Sequence, residues 1–476
     1  MKTQLGSLEI CTVINGLWQI ADRERHAVIN PREAASSLLP YVEAGLTTFD
    51  MADHYGSSEE IVGWFKKLYP EHPIQAFTKW VPEPGPISKE TVRAAVQRAL
   101  KRLQSEQLDL MQFHAWNYAH PSWLDGLFFL TELKQEGLIR ELGVTNFDTA
   151  HLRVAVKSGI PIVSNQICFS LIDQRATHDM TDFCLHADVK LLAFGTLAGG
   201  FLSERWLGKP EPAMTDSLTW SQMKYKRFID TAGGWVEFQS VLSFLQQLAQ
   251  KKQTTIATLA SHAILQQAAC GAVIVGTRLE KTDTLPQTKA IRDVFLSDAE
   301  KEEVTEAISG LGKIPGDCGD EYRKPPFLTA SGDLSHHVKN FPKPYPIKTD
   351  VQHREHALSG TVWEELAGFS RAIKKGNRIL ISGTTATHGS HAIGGDDAAA
   401  QTHFIIDKIE GALQSFGASL ADVVRTRIYI RHVHDWEAVA RAHGARFKDI
   451  QPANTMVRAD LIGDEYLVEI EAEAEV

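Results

Sequence analysis

A chain of 476 residues is too long for one ordinary hydrophobic core, so two domains are expected. Its 43% hydrophobic and 23% charged residues are those of a soluble globular protein. The formal net charge of −10, with no basic stripe, speaks against a nucleic-acid or anionic-membrane partner. Cys11, Cys168, Cys184, Cys270 and Cys318 show no CxxC or metal-ligand spacing, which predicts reduced thiols in a cytoplasm. The first residues lack the apolar core and cleavage site of a signal peptide, and no window nears the roughly 18–20 apolar residues of a membrane span. His336, His337, His388, His391 and His403 fit no HExxH or paired-ligand pattern, so no metal is expected.

From residue 10 to about 290, short apolar runs alternate with amphipathic stretches. The predicted strands are Val13–Leu17, Thr47–Met51, Ile74–Lys79, Asp109–His114, Glu141–Thr145, Ile162–Asn165, Lys190–Phe194 and Ala272–Val275. Helices are predicted between them, among others over 31–44, 89–104 and 149–158. Repeated βα units imply a parallel sheet, and eight of them match a closed (β/α)₈ TIM barrel. A doubly wound sheet is the competing fold, but no GxGxxG turn follows the first strand. The long stretch 203–234, after the seventh strand, is expected to be a lid at the barrel mouth.

The barrel domain is expected over 1–315, and residues 316–355, rich in Pro, Gly, Asp and Lys, read as tail and linker. A small α+β domain follows over 356–476. Its predicted elements are β runs at 372–373 and 378–382, a helix over 398–416 stopped by Gly417, a strand over 424–430, a helix over 436–448 and a strand over 467–472.

In a (β/α)₈ barrel the active site lies at the C-terminal ends of the strands. Asp50, Lys79 and His114 end the second, third and fourth strands, and Tyr55 follows in the loop after Asp50. Together they suit carbonyl reduction, in which hydride attack builds charge on an oxygen that must receive a proton. Lys79 is expected to acidify the Tyr55 phenol, Asp50 to hold Lys79 charged, and His114 to donate a hydrogen bond to the substrate oxygen. Trp80 and Trp116 are candidates for walls of the substrate pocket, against simple packing.

The segment FDMADHYGSSE resembles the D-x-A-x-x-Y-G motif of the aldo-keto reductases. FTK (77–79), DLMQFH (109–114), GVTNF (143–147), SNQ (164–166) and VGT (275–277) continue the resemblance through nearly the whole first domain. It implies a catalytic tetrad of Asp50, Tyr55, Lys79 and His114 and an NADP(H) cofactor, with NAD(H) left open. It assigns Thr145, Asn146 and Gln166 to the nicotinamide carboxamide and Phe194 to stacking on its ring. Gly195, Leu197 and Gly199 fall behind the pyrophosphate, Gly276, Thr277 and Arg278 on the adenosine 2′-phosphate, and Gly16, Leu17 and Trp18 on the first-strand segment facing the cofactor. The family's acid–Asn pair for adenine is replaced here by Leu285, Pro286, Gln287 and Thr288.

The C-terminal part resembles the YjgF/RidA family of reactive-intermediate deaminases, with a chorismate-mutase-like fold. The matching segments are GFSRAIKKGNRILISG (368–383), FGASLADVVRTRIYI (416–430), PAN (452–454) and VEIEAEA (468–474). The family's arginine is Asn454 here, its tyrosine is Phe369, and its glutamate remains as Glu469. Without the arginine the source of carboxylate affinity is gone. Three roles stay open for this domain: assembly into homo-oligomers, namely trimers; binding of an uncharged metabolite; or hydrolysis of an imine or enamine whose ketone passes to the reductase. For the barrel, the expected function is reduction of a small-molecule aldehyde or ketone to an alcohol. The competing reading is a nicotinamide-binding sensor.

Overall fold

A computed structural model describes residues 2–24, 27–279 and 282–476. The chain opens with an antiparallel hairpin, β1 (Lys2–Leu5) and β2 (Leu8–Cys11). Eight parallel strands then close into a barrel: β3 (Val13–Gly16), β4 (Thr48–Asp50), β5 (Gln75–Trp80), β6 (Leu108–Phe113), β7 (Ile139–Thr145), β8 (Ile162–Cys168), β9 (Lys190–Phe194) and β10 (Cys270–Gly276). All eight predicted strands are present, and β10 pairs with both β9 and β3 to close the ring.

Alternation along each strand sorts side chains into two layers. Ile14, Phe77, Leu110, Leu192, Ala272 and Ile274 face inward and meet Leu5, Leu8 and Ile10 of the hairpin, which plugs the lower end. Their neighbours Val13, Phe49, Ala76, Met111 and Val273 face the helices. With the bottom filled by apolar groups, polar inward residues are confined to the C-terminal rim.

Four helices bear on the argument: α1 (Thr149–Lys157), α2 (Trp220–Thr231), α3 (Ala398–Ser415) and α4 (Trp436–Phe447). Helix α2 lies in the stretch expected to be a lid, opened by a capping box of Thr219 and Gln222. The predicted helix over 31–44 breaks into Pro31–Ala34, a 3₁₀ turn and Leu39–Glu43, because Pro40 interrupts it.

The C-terminal sheet begins at Ile347, inside the segment expected to be linker. Its strands are β11 (Ile347–Thr349), β12 (Glu355–Ala357), β13 (Ala372–Lys375), β14 (Arg378–Thr385), β17 (Val423–Ile430), β18 (Ala453–Arg458) and β19 (Val468–Glu475), in the order β11-β12-β13-β14-β19-β17-β18. A two-residue pair, β15 (Thr387–His388) and β16 (His391–Ala392), stands apart. Helix α3 is buried almost all round, since it packs on its own sheet and on α1 of the barrel. The other sheet face leaves Leu380, Val424 and Val457 exposed.

Candidate active site

Asp50 and Lys79 sit inside the upper rim with side chains only 4% exposed. Lys79 Nζ donates to Asp50 Oδ2 at 2.6 Å and to Met51 O at 2.7 Å. The other carboxylate oxygen, Asp50 Oδ1, accepts from Gln112 Nε2 at 3.0 Å and Gln166 Nε2 at 2.7 Å. The pair is thus buried with its hydrogen bonds in place, the condition under which buried charge is tolerated. Lys79 Nζ lies 4.8 Å from the centre of the half-buried Tyr55 ring, whose edge meets Trp18 at 4.9 Å. Asp50, Lys79 and Tyr55 are thus brought together at one rim.

The electrostatics differ from expectation in two respects. Burial, reinforced by Asp50, pushes the Tyr55 phenol well above its ordinary value; Tyr322 and Asp53 add to this. Burial draws Lys79 itself downward, against the opposing pull of Asp50. Burial, followed by the Arg323 cation, holds His114 well below the usual imidazole range, so the ring is neutral. Its Nδ1 faces Thr145 O at 3.3 Å. A carbonyl only accepts, so Nδ1 carries the proton in this contact. Nε2, buried and without a hydrogen-bond partner among the described residues, then presents a lone pair rather than the expected donor.

Of the residues expected to hold the carboxamide, Thr145 donates its hydroxyl to Gln166 O at 3.0 Å, and Gln166 spends its amide on Asp50 and Gln112. Asn146 is different. Its backbone is left-handed (φ 58°) and its Oδ1 is buried with no partner among the described residues. Phe194, half-buried at the end of β9, has Lys224 Nζ 4.9 Å from its ring centre. Beyond it, a Cβ on Gly195 would lie 2.2 Å from Tyr225 Oη and one on Gly199 2.9 Å from Ser221 O; Leu197 is half-buried between them. After β10, Gly276 and Arg278 are exposed, while Thr277 is buried and turned toward Asn15. Gly16 packs under Ile274, and Leu17 is buried in the outer layer, so its side chain does not face the mouth. Trp18 does, stacked on Trp220 at 5.8 Å. An orphaned acceptor at Asn146, an aromatic ring at Phe194 and an exposed arginine after the last barrel strand fit a nicotinamide dinucleotide.

The two candidate pocket walls separate. Trp116 makes an edge contact with His114 at 4.3 Å and stands in the mouth. Trp80 packs on Phe113 in the layer facing the helices, since Lys79 before it points inward. Trp80 is core.

Sequence reasoning missed a set of residues that the tail and α2 bring to the rim. Tyr322 meets His114 edge-on at 5.7 Å and shares a hydrogen bond of 2.7 Å with Lys224 Nζ. Burial works against the Lys224 ammonium, but Tyr322 and Glu321 outweigh it and keep it charged. His337 lies tilted against Trp116 at 5.2 Å and His336 tilted against Trp220 at 5.7 Å; burial takes His337 down to about 4. Arg323 fastens the tail, donating to Ala115 O at 2.6 Å and Asn146 O at 2.6 Å. Gly319 (φ 80°) passes so close that a Cβ would lie 1.9 Å from Asn146 O. The capping box at Thr219 was the one local signal that could have placed Lys224 on a helix.

In the C-terminal domain Asn454 donates to Thr426 Oγ1 at 2.9 Å. Arg371 stands over the Phe369 ring at 5.7 Å, and burial raises the Glu469 carboxyl. Among the described residues no group of three or more His, Cys, Asp or Glu side chains could hold a metal ion.

Residues 12–309 match the aldo/keto reductase family and residues 362–476 match the Endoribonuclease L-PSP family. The NADH-specific methylglyoxal reductase of Escherichia coli is 24% identical over 65% of this chain and 99% of its own length. The glycerol dehydrogenase of Gluconobacter oxydans shares the barrel fold, with a TM-score of 0.54 at 20% identity over 66% of this chain and 97% of that one. A Mycobacterium tuberculosis protein described as a YjgF family member is 43% identical over 26% of this chain and 99% of its own, with a TM-score of 0.24. The chain belongs to the aldo/keto reductase family, a family of oxidoreductases that use nicotinamide cofactors, and carries a C-terminal domain of the YjgF/Endoribonuclease L-PSP family.

Proposed function

We propose that the barrel reduces an aldehyde or ketone to an alcohol with NADP(H), Tyr55 delivering the proton. The observation that carries this reading is the Asp50–Lys79 ion pair beneath the Tyr55 ring, at the same rim as a His114 Nε2 with no partner among the described residues. When bound, the nicotinamide supplies the hydride. Asn146 Oδ1 would accept a carboxamide N–H, Phe194 would pack on the ring, and Arg278 would hold the 2′-phosphate. Tyr55 remains protonated throughout the neutral range. It gives up its proton only as the carbonyl oxygen becomes an alkoxide, a far stronger base than phenolate. The hydroxyl so formed donates to His114 Nε2. Asp50 keeps Lys79 charged, and Lys79 steadies the negative charge left on Tyr55 Oη.

Trp18, Trp116, Trp220 and Tyr322 wall the pocket with rings, which suits a flat or apolar carbonyl. The test is consumption of NADPH and of NADH, read by absorbance, with a panel of aromatic aldehydes, quinones, dicarbonyls and sugar aldehydes. Turnover of at least one with NADPH is expected. Binding of NADPH without turnover of any would favour the sensor.

For the C-terminal domain we read a role in assembly, supported by Leu380, Val424 and Val457 on its open sheet face. Light scattering of the full chain should give a trimer, and Leu380→Asp with Val424→Asp a monomer. No helix among the described residues is long and apolar enough to cross a membrane, and a cytoplasmic enzyme with reduced thiols is the corresponding proposal.

A further inference from the structure

The seam between the two domains carries a buried charge cluster that the catalytic reading does not use. His151, on the first turn of α1, gives Nδ1 to Asp148 at 2.6 Å and Nε2 to Asp407 of α3 at 2.8 Å. Asp407 Oδ1 accepts from Arg446 of α4 at 2.6 Å, and Arg446 also holds Glu410 at 2.6 Å. Burial disfavours the imidazolium, but Asp148 and Asp407 win and hold it at about 9. Both ring nitrogens are thus fixed, one by each domain.

From His151 a stack of flat groups runs to the active-site rim. Tyr118 lies on the imidazole at 3.5 Å between ring centres and 6° between planes. The Arg323 guanidinium lies 4.5 Å from the Tyr118 ring centre. Arg323 in turn donates to Asn146 O and Ala115 O, the residue after His114. Asp148 caps α1 by accepting from the His151 backbone N–H at 2.8 Å, two residues beyond Asn146.

One turn along α3, Gly411 touches the other end of the same loop. A Cβ there would lie 2.4 Å from Ala119 O. The loop from His114 to Ala119 is therefore pressed from outside by α3 and held from inside by Arg323.

We propose that the C-terminal domain is a positioning element of the reductase site, with Asp407 setting Asn146 through His151 and Gly411 setting the loop behind His114. This rests on the nicotinamide-dependent reading above. Asp407 and Gly411 touch neither substrate nor cofactor; they act through His151 and Ala119. Because α3 touches α1 at His151 and the loop at Ala119, its two positions govern different parameters.

The experiment compares Asp407→Asn and Gly411→Ala with the parent, each as the full chain with circular dichroism to confirm folding. For Asp407→Asn we expect the NADPH dissociation constant to rise roughly fivefold to tenfold, with Asp407→Glu restoring most of it. For Gly411→Ala we expect kcat at saturating NADPH to fall roughly fivefold, with NADPH affinity within about twofold of the parent. Amide hydrogen exchange reads the same positioning without any ligand: Asp407→Asn should speed exchange over 145–151 and leave 50–55 unchanged. That arm stands even if no carbonyl is turned over, so its failure is distinct from failure of the reductase reading. Unchanged exchange over 145–151 in Asp407→Asn overturns the proposal, as does a loss of all parameters in proportion to the folded fraction in both variants.

Discussion

Asp50–Lys79 at the barrel mouth and the His151 cluster at the domain seam are built from the same materials and differ in what they leave over. Both are ion pairs with side chains almost wholly buried. At the seam the ring nitrogens of His151 and the carboxylate of Asp407 all have partners. At the mouth, His114 Nε2 and Asn146 Oδ1 are buried with none among the described residues. An unsatisfied buried polar atom costs about 1–3 kcal/mol, so a fold retains one where something else arrives to meet it. At His151 and Asp407 the charge is saturated, whereas His114 Nε2 and Asn146 Oδ1 stay open at the mouth.

The contrast can be broken most severely at Tyr55. Tyr55→Phe should lower kcat by about 10³-fold with NADPH affinity unchanged, since the ring and its contact with Trp18 survive while the proton is lost. Substantial retained turnover would remove Tyr55 as the acid. Lys79→Met comes next, with kcat down about 10²-fold. Stability should also fall by about 3–5 kcal/mol in urea, because Asp50 is left in a buried site without its cation and with only Gln112 and Gln166 to meet it.

The two clusters also part in their pH dependence. Tyr55 sits well above the usual phenol value, so reduction should not lose rate to its ionisation in the neutral range, while alcohol oxidation, which needs the phenolate, should climb into alkaline solution. A reduction limb falling below about pH 8 in kcat/KM would contradict this. For His151 the folded value, about 9, is raised above the ordinary imidazole value of 6.5. Its contribution to stability is therefore complete below the unfolded pKa and lost as pH rises through about 9. Denaturation midpoints measured from pH 6 to 10 should fall most steeply in the upper part of that range, and His151→Gln should flatten the fall. The smallest effect is expected at Trp80: Trp80→Phe should cost stability through its packing on Phe113 and leave KM for the carbonyl unchanged.

The barrel was legible because βα alternation is a long-range pattern written in local residues. The placement of Asp50, Lys79 and His114 at the ends of neighbouring strands followed from strand order alone. The plug hairpin, in contrast, has strands of four residues around Gly6–Ser7, too short for a period-two signal. Strand β18 escaped notice because its side chains are mostly exposed and its polar and apolar residues do not alternate cleanly, as an edge strand tolerates. Trp80 could have been read correctly, since a strand that points Lys79 inward must point its neighbour outward. Tyr322, Arg323 and His337 could not. They reach the rim from a stretch without periodicity, more than 200 residues from His114, and only the folded path of the tail brings them there. The charge state of Tyr55 was hidden for a similar reason. It depends on how deeply the ring is buried and how near Asp50 lies, a matter of ångströms rather than residue types.

The close passage of Gly319 over Asn146 bears on how such a fused protein can be taken apart or recombined. The stretch joining the two family segments is a wall of the pocket, so the border in sequence is no border in space. Severing the chain after residue 315 would leave all four tetrad residues and remove Tyr322, Arg323 and His337 from around them. Grafting a different partner behind this barrel would have to carry the stretch from 316 to 345 along with it.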